Sequence, residues 1–70
     1  MVGVMEPIDF LALATRTFDE KADLRYGQHW FNTLYTVRPD IADKLRGTRL
    51  DPFHRDHVSP DAVTFVVDNW

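Results

Sequence analysis

Asp51, His54, Asp56 and His57 bring two carboxylates and two imidazoles into one short stretch of the chain. Two chemistries follow from those residue types. Histidines three apart share one side of a helix, and imidazole is a common zinc ligand. A carboxylate near an imidazole is also an ordinary ingredient of general acid–base catalysis. Pro52 and the absence of apolar periodicity place the stretch in a loop, however, and spacing fixes no third ligand where structural zinc takes about four. Acid–base work needs a water-excluding pocket, which a chain of 70 residues has difficulty enclosing alone. Aspartate before proline initiates turns by bonding to its own backbone. Asp51 is therefore read as a turn former and His54 and His57 as surface loop residues, with no catalytic residue, metal or cofactor assigned. A metal or acid–base site at these three residues stands as the last alternative.

A second grouping is basic: Lys44, Arg46, Arg49 and Arg55. Phosphate contact is the chemistry it suggests, yet the whole chain has a net charge of −3 from 8 basic and 11 acidic side chains. Nucleic-acid modules carry a denser basic face and a positive domain charge. Positive charge is in mild excess between Leu24 and His57, but Asp43, Asp51 and Asp56 lie among those cations and favour local ion pairing. Nucleic-acid binding through residues between Arg38 and Arg55 is thus disfavoured and kept as the first alternative.

The third grouping is aromatic. Tyr26, Trp30, Tyr35 and Trp70 are more ring surface than a domain of this size is expected to hide, and such residues are enriched at interface hot spots. At least one tryptophan is expected at a partner or self-association surface. Trp30 and Trp70 are the leading anchors, Tyr26 and Phe53 accompany them, and Arg46 and Arg49 supply a polar rim.

The elements that position these residues read as helices. Pro7 opens a first helix predicted to run to about Glu20, with Ile8, Leu11, Ala12, Thr15 and Phe18 at helical spacing. A second runs from Ala22 or Asp23 to Thr36, with Leu24, Gln28, Phe31, Leu34 and Tyr35 on one face and Tyr26, Trp30, Thr33 and Val37 beside it. A helix apolar around so much of its circumference belongs at the centre. Gly27 lowers its propensity by about 1 kcal/mol, which a close helix crossing would offset. The third helix spans Pro39 to Arg46, with proline at its first position, Asp40 and Lys44 matching its dipole, and Gly47 closing it in a left-handed conformation. Thr48 to Val58 is an ordered loop pinned by Leu50 and Phe53. Ser59-Pro60-Asp61 is a cap that starts a last helix, although Thr64-Phe65-Val66-Val67 competes as a strand.

These readings give one all-α domain over residues 1–70, a compact bundle of three to four short helices with an ordered loop before the last. Residues 1–5 are expected to be a flexible extension, with Met5 the working start. No cysteine is present, so disulfides and thiolate metal sites are excluded. No stretch approaches the roughly 18 apolar residues of a membrane span, and the opening residues lack signal-peptide features. An apolar content of 44 % is too high for a disordered tail, and a small core makes self-association a serious candidate.

Taken in order, Arg25-x-Gly27-Gln28, Phe31-Asn32-x-Leu34, Arg38-Pro39-Asp40, Arg46-Gly47-Thr48, Asp51-Pro52-Phe53 and a C-terminal Trp70 form a pattern. The chain resembles, from Arg25 to Trp70, a group of small uncharacterised proteins of bacteriophages and prophages. It departs from them at His54, where tyrosine is frequent. The resemblance implies a mobile-element origin and life in the cytoplasm of a bacterial host, and it transfers no activity. The expected function is a non-enzymatic accessory protein that binds another protein, masking a host or defence component, and that forms a homodimer.

Overall fold

Proline opens three of the four helices, each time at a first position where a backbone N–H would lack a partner. The computed structural model describes residues 5–70, and among them the helices are α1 (Pro7–Thr17), α2 (Tyr26–Val37), α3 (Pro39–Leu45) and α4 (Pro60–Asn69), with no strand. The all-α expectation holds, including helix over the β-branched run in α4. There the Ser59 hydroxyl oxygen accepts the Ala62 N–H at 3.2 Å, so the cap outweighs strand propensity.

Boundaries shift where side chains compete for backbone. α1 ends at Thr17, short of Glu20, because the Asp19 carboxylate accepts the Lys21 N–H at 2.9 Å and forms a turn. Phe18 then folds back edge-on against Tyr26, with ring centroids 5.1 Å apart. The His29 Nε2–H donates to the Ala14 carbonyl at 2.9 Å, ending α1 on a side chain of α2. α2 starts at Tyr26, later than expected, so Asp23 lies outside the helix and so does the exposed Leu24. Between α2 and α3 only Arg38 is non-helical, as expected for a residue before proline.

α2 packs on α1 and α3, and α3 carries α4. The shared core joins Phe10 and Ala14 of α1, Trp30, Phe31 and Leu34 of α2, Ile41, Ala42 and Leu45 of α3, and Val66 of α4. Gly27 does sit at a close approach, but the neighbour is the loop after α3, not another helix. Its N–H donates to the Arg55 carbonyl at 2.9 Å, and a Cβ there would run into the Pro52 and Arg55 carbonyl oxygens.

The expectation that fails is exposure of Trp30. Its indole is 1 % exposed. The physical reason is that the rings hide one another: Phe10 meets Trp30 edge-on at 5.1 Å and stacks on Trp70 at 5.7 Å. Trp70 is half-buried, and its Nε1–H donates to the Met5 carbonyl at 2.8 Å. That bond also corrects the reading of Met5 as flexible, since it packs against the core; residues 1–4 of the expected extension lie outside the described residues.

Candidate functional site

The loop that follows α3 is built by its own short-range bonds. Gly47 takes φ +76°, the left-handed conformation that turns the chain out of the helix. The Asp51 carboxylate then closes the turn from both sides, Oδ2 accepting the Gly47 N–H at 2.8 Å and Oδ1 accepting the Phe53 N–H at 2.9 Å. The Thr48 hydroxyl donates to the Leu45 carbonyl at 2.8 Å and accepts the Leu50 N–H at 3.2 Å. Pro52 is fully buried, and the Gly27–Arg55 bond ties the far side of the loop to α2.

This pinned loop and the exposed flank of α2 enclose an open cleft of about 450 Å3, within the range of small-ligand sites. Phe31, Asn32 and Tyr35 line it from α2, Phe53 and His54 face them from the loop, and Arg46 and Asp51 complete it. Phe53 meets Phe31 edge-on at 5.8 Å, and His54 meets Phe53 edge-on at 5.0 Å. The Arg46 guanidinium lies over Tyr35 at 5.2 Å and over Phe31 at 5.7 Å, with the Asp43 carboxylate 3.6 Å away. Tyr35 is 47 % exposed.

No protein-family model matches the chain, and no curated protein or solved structure does so either.

Of the residues expected to bind, the structure brings Arg46 and Phe53 together in the cleft. Arg49 is exposed on the same loop. Tyr26 is half-buried beneath Phe18, Trp30 is sealed in the core, and Trp70 closes the core over Phe10. Arg38 stands 5.1 Å over Trp70 and holds Asp40 with two bonds, Nε to Oδ1 at 3.0 Å and Nη2 to Oδ2 at 2.9 Å. The Arg38 hydrogen bond brings the Asp40 carboxyl down to about 2, and Asp40 in turn raises the Arg38 guanidinium.

Asp51 is a turn former, as its place before Pro52 suggests. Each of its oxygens accepts a backbone N–H, and among the described residues it forms no hydrogen bond with His54 or His57. Among the described residues no three His, Asp or Glu side chains converge as metal ligands, and His57 is exposed. Sequence reasoning grouped Tyr35 with the interface aromatics without making it an anchor, and it missed Phe31 and Asn32 as cleft residues. Phe31 and Tyr35 are one helical turn apart, and that ring pair ahead of a cation was the available signal. It also missed His29, whose role in ending α1 has no sequence signature because its partner is a carbonyl fifteen residues away.

Proposed function

We propose that this chain is a non-enzymatic binding protein whose partner docks at the cleft between α2 and the Asp51 loop. The observation that carries this reading is the Asp51 turn: it commits the cleft's one carboxylate to backbone and holds Phe53 and His54 opposite Phe31 and Tyr35. The result is a rigid, mainly apolar recess with polar groups at its rim, an arrangement suited to recognition. The anchors are thus Tyr35 and Phe53 rather than the tryptophans. The resemblance to phage-borne proteins supports a partner in a bacterial host, with occlusion of a host or defence surface as the outcome.

Nucleic acid fits less well. Of the cations between Arg38 and Arg55, Arg38 is held by Asp40 and Arg46 lies against rings, which leaves Lys44, Arg49 and Arg55 dispersed among acids. A homodimer is a second reading, favoured by a shallow apolar patch where Ile8 is 72 % and Val67 is 45 % exposed beside Leu11.

Affinity capture from bacterial lysate with the wild-type chain and with Tyr35→Glu, whose site is exposed enough to accept the change, tests the main reading. A protein retained by the former and lost by the latter supports it. Identical retention by both, or retention of nothing, overturns it. Light scattering of Ile8→Asp against wild type tests the dimer.

A further inference from the structure

The charges of the cleft are balanced. Its lining holds one cation, Arg46, and one carboxylate, Asp51, among rings and an amide. These two form no ion pair with each other; among the described residues the guanidinium pairs with Asp43 instead, at 3.6 Å and with both side chains more than half exposed. A charged occupant of either sign therefore meets attraction and repulsion together, and its sign gives it no advantage.

Both groups keep capacity for further hydrogen bonds. Each Asp51 oxygen accepts one backbone N–H, from Gly47 or from Phe53, and a carboxylate oxygen has a second lone pair. A guanidinium carries five N–H donors, more than the single contact to Asp43 uses. A purely apolar side chain seated over this lining strips water from ionised groups and returns nothing. A hydroxyl accepts from a guanidinium and donates to a carboxylate, so it satisfies a mixed lining without adding charge.

The remaining lining favours a ring. Phe53 meets Phe31 with 88° between the planes, and His54 meets Phe53 with 80°. Tyr35 adds an exposed ring on the α2 side. Ring edges and faces from two elements thus border the recess, and a further aromatic side chain gains edge-to-face or offset contacts there.

We propose that the cleft recognises a tyrosine side chain of the partner, its ring seated against Phe31 and Phe53 and its hydroxyl accepting from the Arg46 guanidinium. This rests on the protein-binding reading above and specifies the partner's anchor. Tyrosine joins an apolar body to a neutral tip that both donates and accepts. Phenylalanine lacks that tip. A carboxylate in its place is set against Asp51, whereas a hydroxyl turns its proton toward that group.

The test is amide NMR titration of the full chain with a short acetylated, amidated peptide carrying one tyrosine among glycines and serines. Controls replace the tyrosine by phenylalanine, leucine or glutamate, or keep it and flank it with glutamates or with lysines. The expected result is perturbation centred on Tyr35, Arg46 and Phe53, with tyrosine binding about tenfold tighter than phenylalanine, the worth of one hydrogen bond to a charged group. Flanking charge of either sign should change affinity by less than about threefold, as exposed pairs of small worth allow. Arg46→Met keeps an apolar stem and removes the donors, so the tyrosine peptide should fall to the level of the phenylalanine peptide. A folding defect weakens both peptides together, so their ratio reads the hydroxyl alone. Equal binding of phenylalanine and tyrosine by the wild-type chain overturns the proposal and leaves docking at the cleft standing. A larger effect of flanking charge overturns the argument from balance. A cleft unperturbed by every peptide overturns the proposal, while capture with Tyr35→Glu judges the wider reading separately.

Discussion

Replacing Gly27 with alanine sets two physical effects against each other with opposite signs. Gly27 lies in the first turn of α2, where alanine is favoured by about 1 kcal/mol on helix propensity. Yet the added Cβ would fall within the van der Waals envelope of the Pro52 carbonyl oxygen and 2.5 Å from that of Arg55. Both obstacles are backbone, so no rotamer change relieves them, and the loop must move as a body. Overpacking of this kind costs about 1–3 kcal/mol. Moving the loop also breaks the Gly27–Arg55 hydrogen bond, about 1 kcal/mol more. The propensity gain offsets only that last loss, so Gly27→Ala should destabilise by about 1–3 kcal/mol. A chain this short has roughly 4–10 kcal/mol in total. At a urea dependence of about 1 kcal/mol/M, the unfolding midpoint should fall by about 1–3 M. Gly47→Ala is the matched control. It meets nothing within 4 Å and carries only the strain of φ +76°, about 1 kcal/mol. Residual amide shifts in folded Gly27→Ala should centre on residues 52–55. A midpoint that rises, as propensity alone demands, would refute the packing account of the loop and with it the rigidity claimed for the cleft.

Three further outcomes rest on other contacts of the fold. The Asp40 carboxyl, lowered from the usual 3.8 to about 2 by Arg38, should show that value in a carbon-detected NMR titration. Because its folded value is the lower one, its contribution to stability is complete above the unfolded value and declines as pH falls through the folded value; Asp40→Asn should remove that part of the acid sensitivity. Trp70→Phe keeps the stack on Phe10 but deletes the donor to the Met5 carbonyl, so urea unfolding should register a loss of about 1 kcal/mol, and Trp70→Ala clearly more. His29→Ala leaves the Ala14 carbonyl without its side-chain donor, and hydrogen exchange should quicken in the last turn of α1 with about 1 kcal/mol of lost stability.

Helix identity was legible because it is local. Pro39, Asp40, Lys44 and Gly47 each mark a place in one helix by its own end chemistry, and Ser59 overrides a β-branched run by a bond that spans three residues. The Asp51 turn was legible for the same reason. What stayed hidden depends on residues distant in sequence. Nothing near Trp30 says that Phe10 and Trp70 will enclose it, and nothing near Gly27 says that its crowding comes from a loop 25 residues on. The cleft was half legible: Arg46, Phe53 and Tyr35 stood out by type, whereas Phe31 and Asn32 looked like ordinary helix positions until the loop folded across them.

Much of the stretch from Arg25 to Trp70 has physical tasks of folding in this chain. Gly27 admits the loop, Gly47 and Asp51 shape it, and Pro52 is buried beneath it. Arg38 and Asp40 fasten the α2–α3 corner to Trp70, and Phe31 and Leu34 fill the core. Tyr35 and His54 line the cleft but stand outside those folding tasks, as does Asp43 beside Arg46. Substitution there changes what the recess presents while leaving the turn that frames it intact. Arg46 and Phe53 serve both the local fold and the recess, so Tyr35 and His54 are the positions that separate recognition from folding in this chain.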